Sequence, residues 1–185
     1  ASDLPKGRGG APVNWQLIDG SDKVSLSLFF YDEGVDSGDV VAKTTVPVED
    51  RDDVRTVFDR LATAARQLVS AQKQLLKVDD IPTKPQSPAD ATYRPRRQPQ
   101  DGLIDWTRAP TEQHDWIRAQ TDPYPGAYTF HDGRRLTIWR GELRPERSTE
   151  GDSGEVLQIV DGDGIDVRTR DGVYRISRVQ TRTGA

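Results

Sequence analysis

Apolar residues recur along this chain with two different periods, and each period predicts a different element. From Val24 to Tyr31, Val24, Leu26, Leu28 and Phe30 alternate with Ser25, Ser27 and Phe29. That is the period of a strand whose second face is also partly apolar, and so a well-buried one. Beyond a polar loop, Asp32 to Asp39, the segments Val40–Ala42 and Thr44–Val48 predict a second strand. Over residues 52–77, Val54, Val57, Phe58, Leu61, Ala65, Leu68 and Leu75 fall three and four apart, the apolar stripe of a long helix. Asp52 and Asp53 at its start and Lys73 and Lys77 at its end have the signs that the helix dipole favours. Upstream, Pro12 can open a short helix carrying Val13, Trp15, Leu17 and Ile18, which Gly20 ends.

The pattern changes at residues 79–100, where Pro82, Pro85, Pro88, Pro95 and Pro99 occur with few large apolar residues. This predicts an extended, semi-rigid linker between a unit at 1–78 and a unit at 101–185. Past it, Pro110 begins a helix running to Thr121, stopped before Pro123 and Pro125. The remainder reads as short strands, Ala127–Phe130, Leu136–Leu143, Glu155–Val160, Ile165–Thr169 and Val173–Val179, with turns at Asp132-Gly133, Asp161–Gly164 and Asp171-Gly172. Such spacing predicts a small antiparallel barrel or sandwich, with Trp106, Trp116 and Trp139 in its core.

Composition narrows the chemistry. The chain has 185 residues, 26 Lys plus Arg against 30 Asp plus Glu, and neither Cys nor Met. No Cys means no thiolate nucleophile, no disulfide and no sulfur-ligated zinc, which suits a cytoplasmic protein. No apolar run reaches the length of a membrane span. The two histidines, His114 and His131, lack clustered partners for a metal. The opening glycines are not followed by Gly-Lys-(Ser/Thr), so ATP binding gains no support. Asp161-Gly162-Asp163-Gly164 lacks the later Glu of a calcium loop and reads as a hairpin turn. The absence of Met, with a chain opening at Ala1 inside a motif, leads to the expectation of a piece of something longer.

Two segments carry a resemblance. Ser2-Asp3-Leu4-Pro5-Lys6-Gly7-Arg8-Gly9-Gly10, followed by Asp32-Glu33-Gly34-Val35-Asp36-Ser37-Gly38-Asp39, resembles the paired loops of the folate-dependent formyltransferases. Asp101-Gly102-Leu103-Ile104-Asp105-Trp106 and Asp122-Pro123-Tyr124-Pro125-Gly126 are similar to the C-terminal domain that methionyl-tRNA formyltransferase shares with sugar-nucleotide formyltransferases. The resemblance implies an α/β fragment, the C-terminal part of a Rossmann-like formyltransferase domain, followed by a small OB-like β-barrel.

It also implies a reaction. In the family a primary amine attacks the formyl carbon of 10-formyltetrahydrofolate. An Asn and a protonated His stabilise the oxyanion, and an Asp holds that His charged and helps to move protons. Asp36 falls on the Asp. The Asn-x-His falls ahead of Ala1, so the chain alone is expected to be inactive. Leu4, Pro5, Gly34 and Val35 are implied neighbours of the folate, and Lys6 and Arg8 weaker candidates for the acceptor. Read without the resemblance, Asp36 is a solvated turn residue and Lys6 and Arg8 are ordinary loop charges. The other class of function left open is a non-catalytic interaction module descended from such an enzyme.

Charge bears on the acceptor. A tRNA needs phosphate-neutralising cations, yet residues 101–185 carry 12 basic against 15 acidic side chains. The local basic cluster is Arg94, Arg96 and Arg97. The balance favours an amino-sugar nucleotide over methionyl-tRNA as the amine acceptor.

Overall fold

The protein is described by a computed structural model over residues 1–73, 75, 81–144 and 150–181, and it divides into two compact units, Ala1–Arg97 and Gln98–Ala185. Lys77 and the first two residues of the expected linker lie outside the described residues.

In the first unit, strand β1 (Arg8–Gly9) leads into helix α1 (Pro12–Ile18). Pro12 takes the first helical position, where its missing N–H costs nothing, and Gly20 follows the end in the left-handed region at φ 69°. Strands β2 (Lys23–Phe29) and β3 (Val40–Pro47) form an antiparallel ribbon, with Leu26 opposite Thr44 and a register shift at Leu28/Phe29. That irregularity lies where β2 gives way to the Asp32–Asp39 loop. Helix α2 (Val54–Gln72) packs on both strands through Val54, Val57, Leu61 and Ala64, which join Leu4, Leu17 and Val24 in the buried set. Leu68 is half-buried and Leu75 exposed, so the apolar stripe is buried mainly in the first half of the helix.

Both aspartates at the start of α2 act through specific bonds. Asp53 is the N-cap, and its Oδ1 accepts from the Thr56 N–H and hydroxyl, each at 3.0 Å. Asp52 is buried, takes the Glu49 N–H at 2.7 Å and pairs with both terminal nitrogens of Arg60. Asp53→Ala is expected to cost about 1 kcal/mol, seen as a lower urea midpoint with an unchanged slope; an unmoved midpoint would show that the cap contributes nothing.

The Pro-rich segment does not run free between two bodies. From residue 81 to Arg97 it belongs to the first unit, where Lys84 and Val40 exchange backbone hydrogen bonds at 2.8 and 2.9 Å. Strand β4 (Tyr93–Arg94) then pairs parallel with β1, flanked by Arg8 N–H to Thr92 O at 2.9 Å and Gly10 N–H to Arg94 O at 3.0 Å. Prolines are compatible with this course, because the Lys84 N–H and the Thr92 and Arg94 carbonyls that make these bonds belong to residues between them. Two further bonds tie β2 to neighbouring segments: the Ser25 N–H donates to Gln16 Oε1 at 2.9 Å, and the Ser27 hydroxyl to Ser2 O at 2.7 Å.

The second unit has helix α3 (Pro110–Arg118) and strands β5 (Ala127–His131), β6 (Arg134–Arg144), β7 (Val156–Val160), β8 (Gly164–Arg168) and β9 (Val173–Thr181). Glu112 accepts the Ala109 N–H at 2.9 Å at the head of α3. The strands make one antiparallel sheet in the order β5-β6-β9-β8-β7. Among the described residues β7 and β5 remain its two edges, so the expected OB-like barrel is not closed here. Ile104, Ile117, Ala127, Ile138, Val167, Tyr174 and Ile176 form the core, with Trp106 and Trp116 packed on its margin. Trp139 is not in that cluster; its indole N–H donates to Gln180 Oε1 at 3.0 Å. Burial pushes the Tyr174 phenol far above its usual range, so it stays neutral.

Candidate active site

The two loops singled out by sequence come together in the first unit. Residues 2–10 form a turn, closed by Lys6 N–H to Asp3 O at 3.0 Å, and then β1. Leu4 is 1% exposed, its N–H donating to Ser27 Oγ at 3.3 Å, and its carbonyl takes a bond from Lys43 Nζ, which also pairs with Asp3 at 2.8 Å. Leu4 thereby anchors the loop in the core, while Pro5 is half-buried and Lys6 exposed. Gly9 sits at φ 99°, and a Cβ there would lie 2.6 Å from Arg94 O, so the approach of β1 to β4 requires glycine.

The second loop is shaped by Asp32, whose Oδ1 accepts the Gly34 N–H at 3.0 Å and the Ser37 hydroxyl at 2.7 Å. Gly34 and Val35 are exposed. Asp36 is half-buried at φ 51°, a left-handed conformation that Asp tolerates better than most residues. At Gly38 a Cβ would lie 1.8 Å from Phe30 O, so the return into β3 permits no side chain.

A backbone donor links the loops. The Gly9 N–H donates to Asp36 Oδ2 at 2.9 Å, a charge-assisted bond that orients the carboxylate.

The two basic candidates diverge. Arg8 is 4% exposed, and all three guanidinium nitrogens are occupied: Nε and one terminal nitrogen donate to Gln86 Oε1 at 3.2 and 2.8 Å, the other to the Tyr93 hydroxyl at 3.0 Å. Lys6 instead borders a cavity of about 290 Å³ whose wall includes Ser2, Gly7, Trp15, Thr92 and Arg94. Trp15 donates its indole N–H to Pro95 O at 2.9 Å, and the guanidinium groups of Arg94 and Arg97 lie 5.1 and 5.0 Å from its ring centroid. Arg94 also pairs with Asp19. Gln86, Thr92 and Tyr93 are therefore site-building residues that periodicity and motif could not single out, since their sequence context is a Pro-rich stretch.

An α/β unit with this pair of loops, parallel and antiparallel pairing within it, and a separate antiparallel sheet after it define a formyltransferase-like fold. The chain belongs to the formyl transferase family: "Formyl transferase" matches residues 1–72, and "Formyl transferase, C-terminal domain" matches residues 96–185. Among solved structures it is similar to a variant of HypX from Aquifex aeolicus, at 21% identity and TM-score 0.74, over 96% of this chain and 32% of that one. HypX has also been solved in complex with tetrahydrofolic acid. A methionyl-tRNA formyltransferase from Clostridium thermocellum matches at 21% identity and TM-score 0.72, over 99% of this chain and 66% of that one. An N-formyltransferase from Helicobacter canadensis, solved with folinic acid and dTDP-3-aminofucose, matches at 16% and TM-score 0.71, over 97% and 64%. The chain thus spans about a third to two thirds of the length of these structures.

Proposed function

We infer that the full-length protein transfers a formyl group from 10-formyltetrahydrofolate to the primary amine of an amino-sugar nucleotide, with Asp36 as the catalytic carboxylate. The observation that carries this is the Gly9 N–H to Asp36 contact, which fixes a half-buried carboxylate between the two family loops. The donor supplies an activated formyl carbon. The residues around Asp36 suit it, because Tyr31 and Val35 remain 90% and 59% exposed, apolar surface beside a carboxylate. On this reading Leu4 and Pro5 shape one wall of the donor site, and Gly34 and Val35 the other. As the amine attacks and gains positive charge, Asp36 helps to remove its proton, a role that requires an ionised carboxylate held in place. Lys6, at the mouth of the cavity beside Trp15, is the acceptor-facing cation, while Arg8 builds the loop.

The acceptor assignment draws on charge and on likeness. The second unit carries no excess of cations, and Arg94 and Arg97 are turned onto Trp15. The Helicobacter canadensis structure holds a folate with an amino-sugar nucleotide. Offering the full-length protein 10-formyltetrahydrofolate with an amino-sugar nucleotide or with methionyl-tRNA tests it, the expected product being the formylated sugar. Formylation of methionyl-tRNA alone would overturn the acceptor. No amine-dependent release of tetrahydrofolate, with these or with simple primary amines, would overturn the reaction.

A further inference from the structure

We propose that Gln86 is a positioning residue for Asp36. Its side chain binds both site loops, and it reaches them from a segment distant in sequence: 78 residues separate it from Arg8 and 50 from Asp36. The Nε2 group donates to the carbonyls of Asp36, at 2.9 Å, and Gly38, at 2.6 Å. The Oε1 atom accepts two bonds from Arg8. The loop on one side is thus tied at the two backbone carbonyls flanking Ser37, and the loop on the other through the residue next to Gly9, whose N–H holds the Asp36 carboxylate.

The chemistry of the contact admits few other residues. Two carbonyl oxygens require two donors, and a guanidinium requires an acceptor; a primary amide supplies both from one planar group. Glu in the same place would set a carboxylate against the two carbonyls. Lys would face the Arg8 cation. Met would fill the volume and satisfy neither side. Asp36 adopts φ 51°, a conformation open to Asp but one among several that its surroundings must select. The Gln86 bonds act on both sides of it, on its own carbonyl and on that of Gly38, where a side chain would strike Phe30 O. Losing them frees the loop at the residue whose carboxylate must meet the amine.

This inference rests on the catalytic assignment of Asp36, and the test separates the two. In the full-length protein, Gln86→Met is expected to lower kcat about 10–100-fold, the penalty of a displaced catalytic group, with both KM values within about threefold of wild type. In an Asp36→Asn background the same substitution is expected to lower kcat no further, since it acts through the carboxylate that is gone. Amide exchange measured by NMR gives a readout that does not depend on turnover: Gly9 N–H protection falls about tenfold or more in Gln86→Met, while protection along α2 is unchanged. Gln86→Glu, which keeps the length and the Arg8 contact, is expected to fail as Met does because it loses both donors. Unchanged Gly9 exchange in Gln86→Met would overturn the positioning role whatever the activity. An additive loss of kcat in the double variant would also overturn it. Faster Gly9 exchange with undiminished turnover would retain the clamp and instead refute Asp36 as the catalytic group.

Discussion

Asp36→Asn is expected to lower kcat for formyl transfer by about 10²–10⁴-fold, the usual worth of a positioned acid–base group. The substitution isolates charge from shape. Asn has the volume of Asp, tolerates the left-handed conformation as well, and offers the Gly9 N–H a carbonyl acceptor in place of Oδ2. What it loses is the ability to take up the proton and to hold a neighbouring cation. Steady-state kinetics should therefore show the loss in kcat, with both KM values and the urea midpoint close to wild type. A variant retaining more than about a tenth of wild-type kcat would fall outside the range of such a group and would reduce Asp36 to a turn residue.

The second large effect lies in the other unit and concerns stability. Asp166 and Arg175 face each other across β8 and β9, 1% and 3% exposed. Arg175 donates to Asp166 at 2.6 and 2.9 Å and reaches Asp163, while Gln158 Nε2 supplies Asp166 with a further bond at 2.6 Å. Asp166→Ala leaves the guanidinium desolvated, with the half-exposed Asp163 as its remaining carboxylate. Removal of one partner from a buried pair is far more costly than removal of both. The thermal midpoint of this unit is expected to fall by on the order of 10 °C, and Asp166→Leu with Arg175→Met to recover most of the loss. Calorimetry checks both; a single variant within about 2 °C of wild type would mean that the pair is a passenger in the sheet, since a penalty of the usual size exceeds that.

Elements with a strong internal period were legible in the sequence, because alternation or a three-four spacing forces one face inward whatever the neighbours are. Val24 in β2, Val54, Val57 and Leu61 in α2, and the Asp132-Gly133 turn between β5 and β6 follow from that logic, whereas Leu26 and Leu28 are only half-buried and Phe30 and Tyr31, expected in the same buried strand, lie past its end and are exposed. Trp139 does not follow from it, since an aromatic on an 11-residue strand can face either way and here it finds Gln180. At the site, the motifs identified the two loops but not what joins them. Lys6 and Arg8 are both basic residues beside glycines, yet one is exposed and the other sealed behind Gln86 and Tyr93. That distinction depends on residues roughly 80 positions away and on an amide in a Pro-rich stretch, where neither composition nor spacing marks it.

The parallel pairing of β1 with β4 also sets an order of events during synthesis. Asp36 and both loops leave the ribosome well before Gln86, Tyr93 and Arg94, and at about 5–20 residues per second the interval is several seconds. Through that interval the carboxylate has no clamp and β1 no partner strand. A fragment cut at residue 78 would be left permanently in that nascent condition, so the first unit is most sensibly produced with a boundary at Arg97.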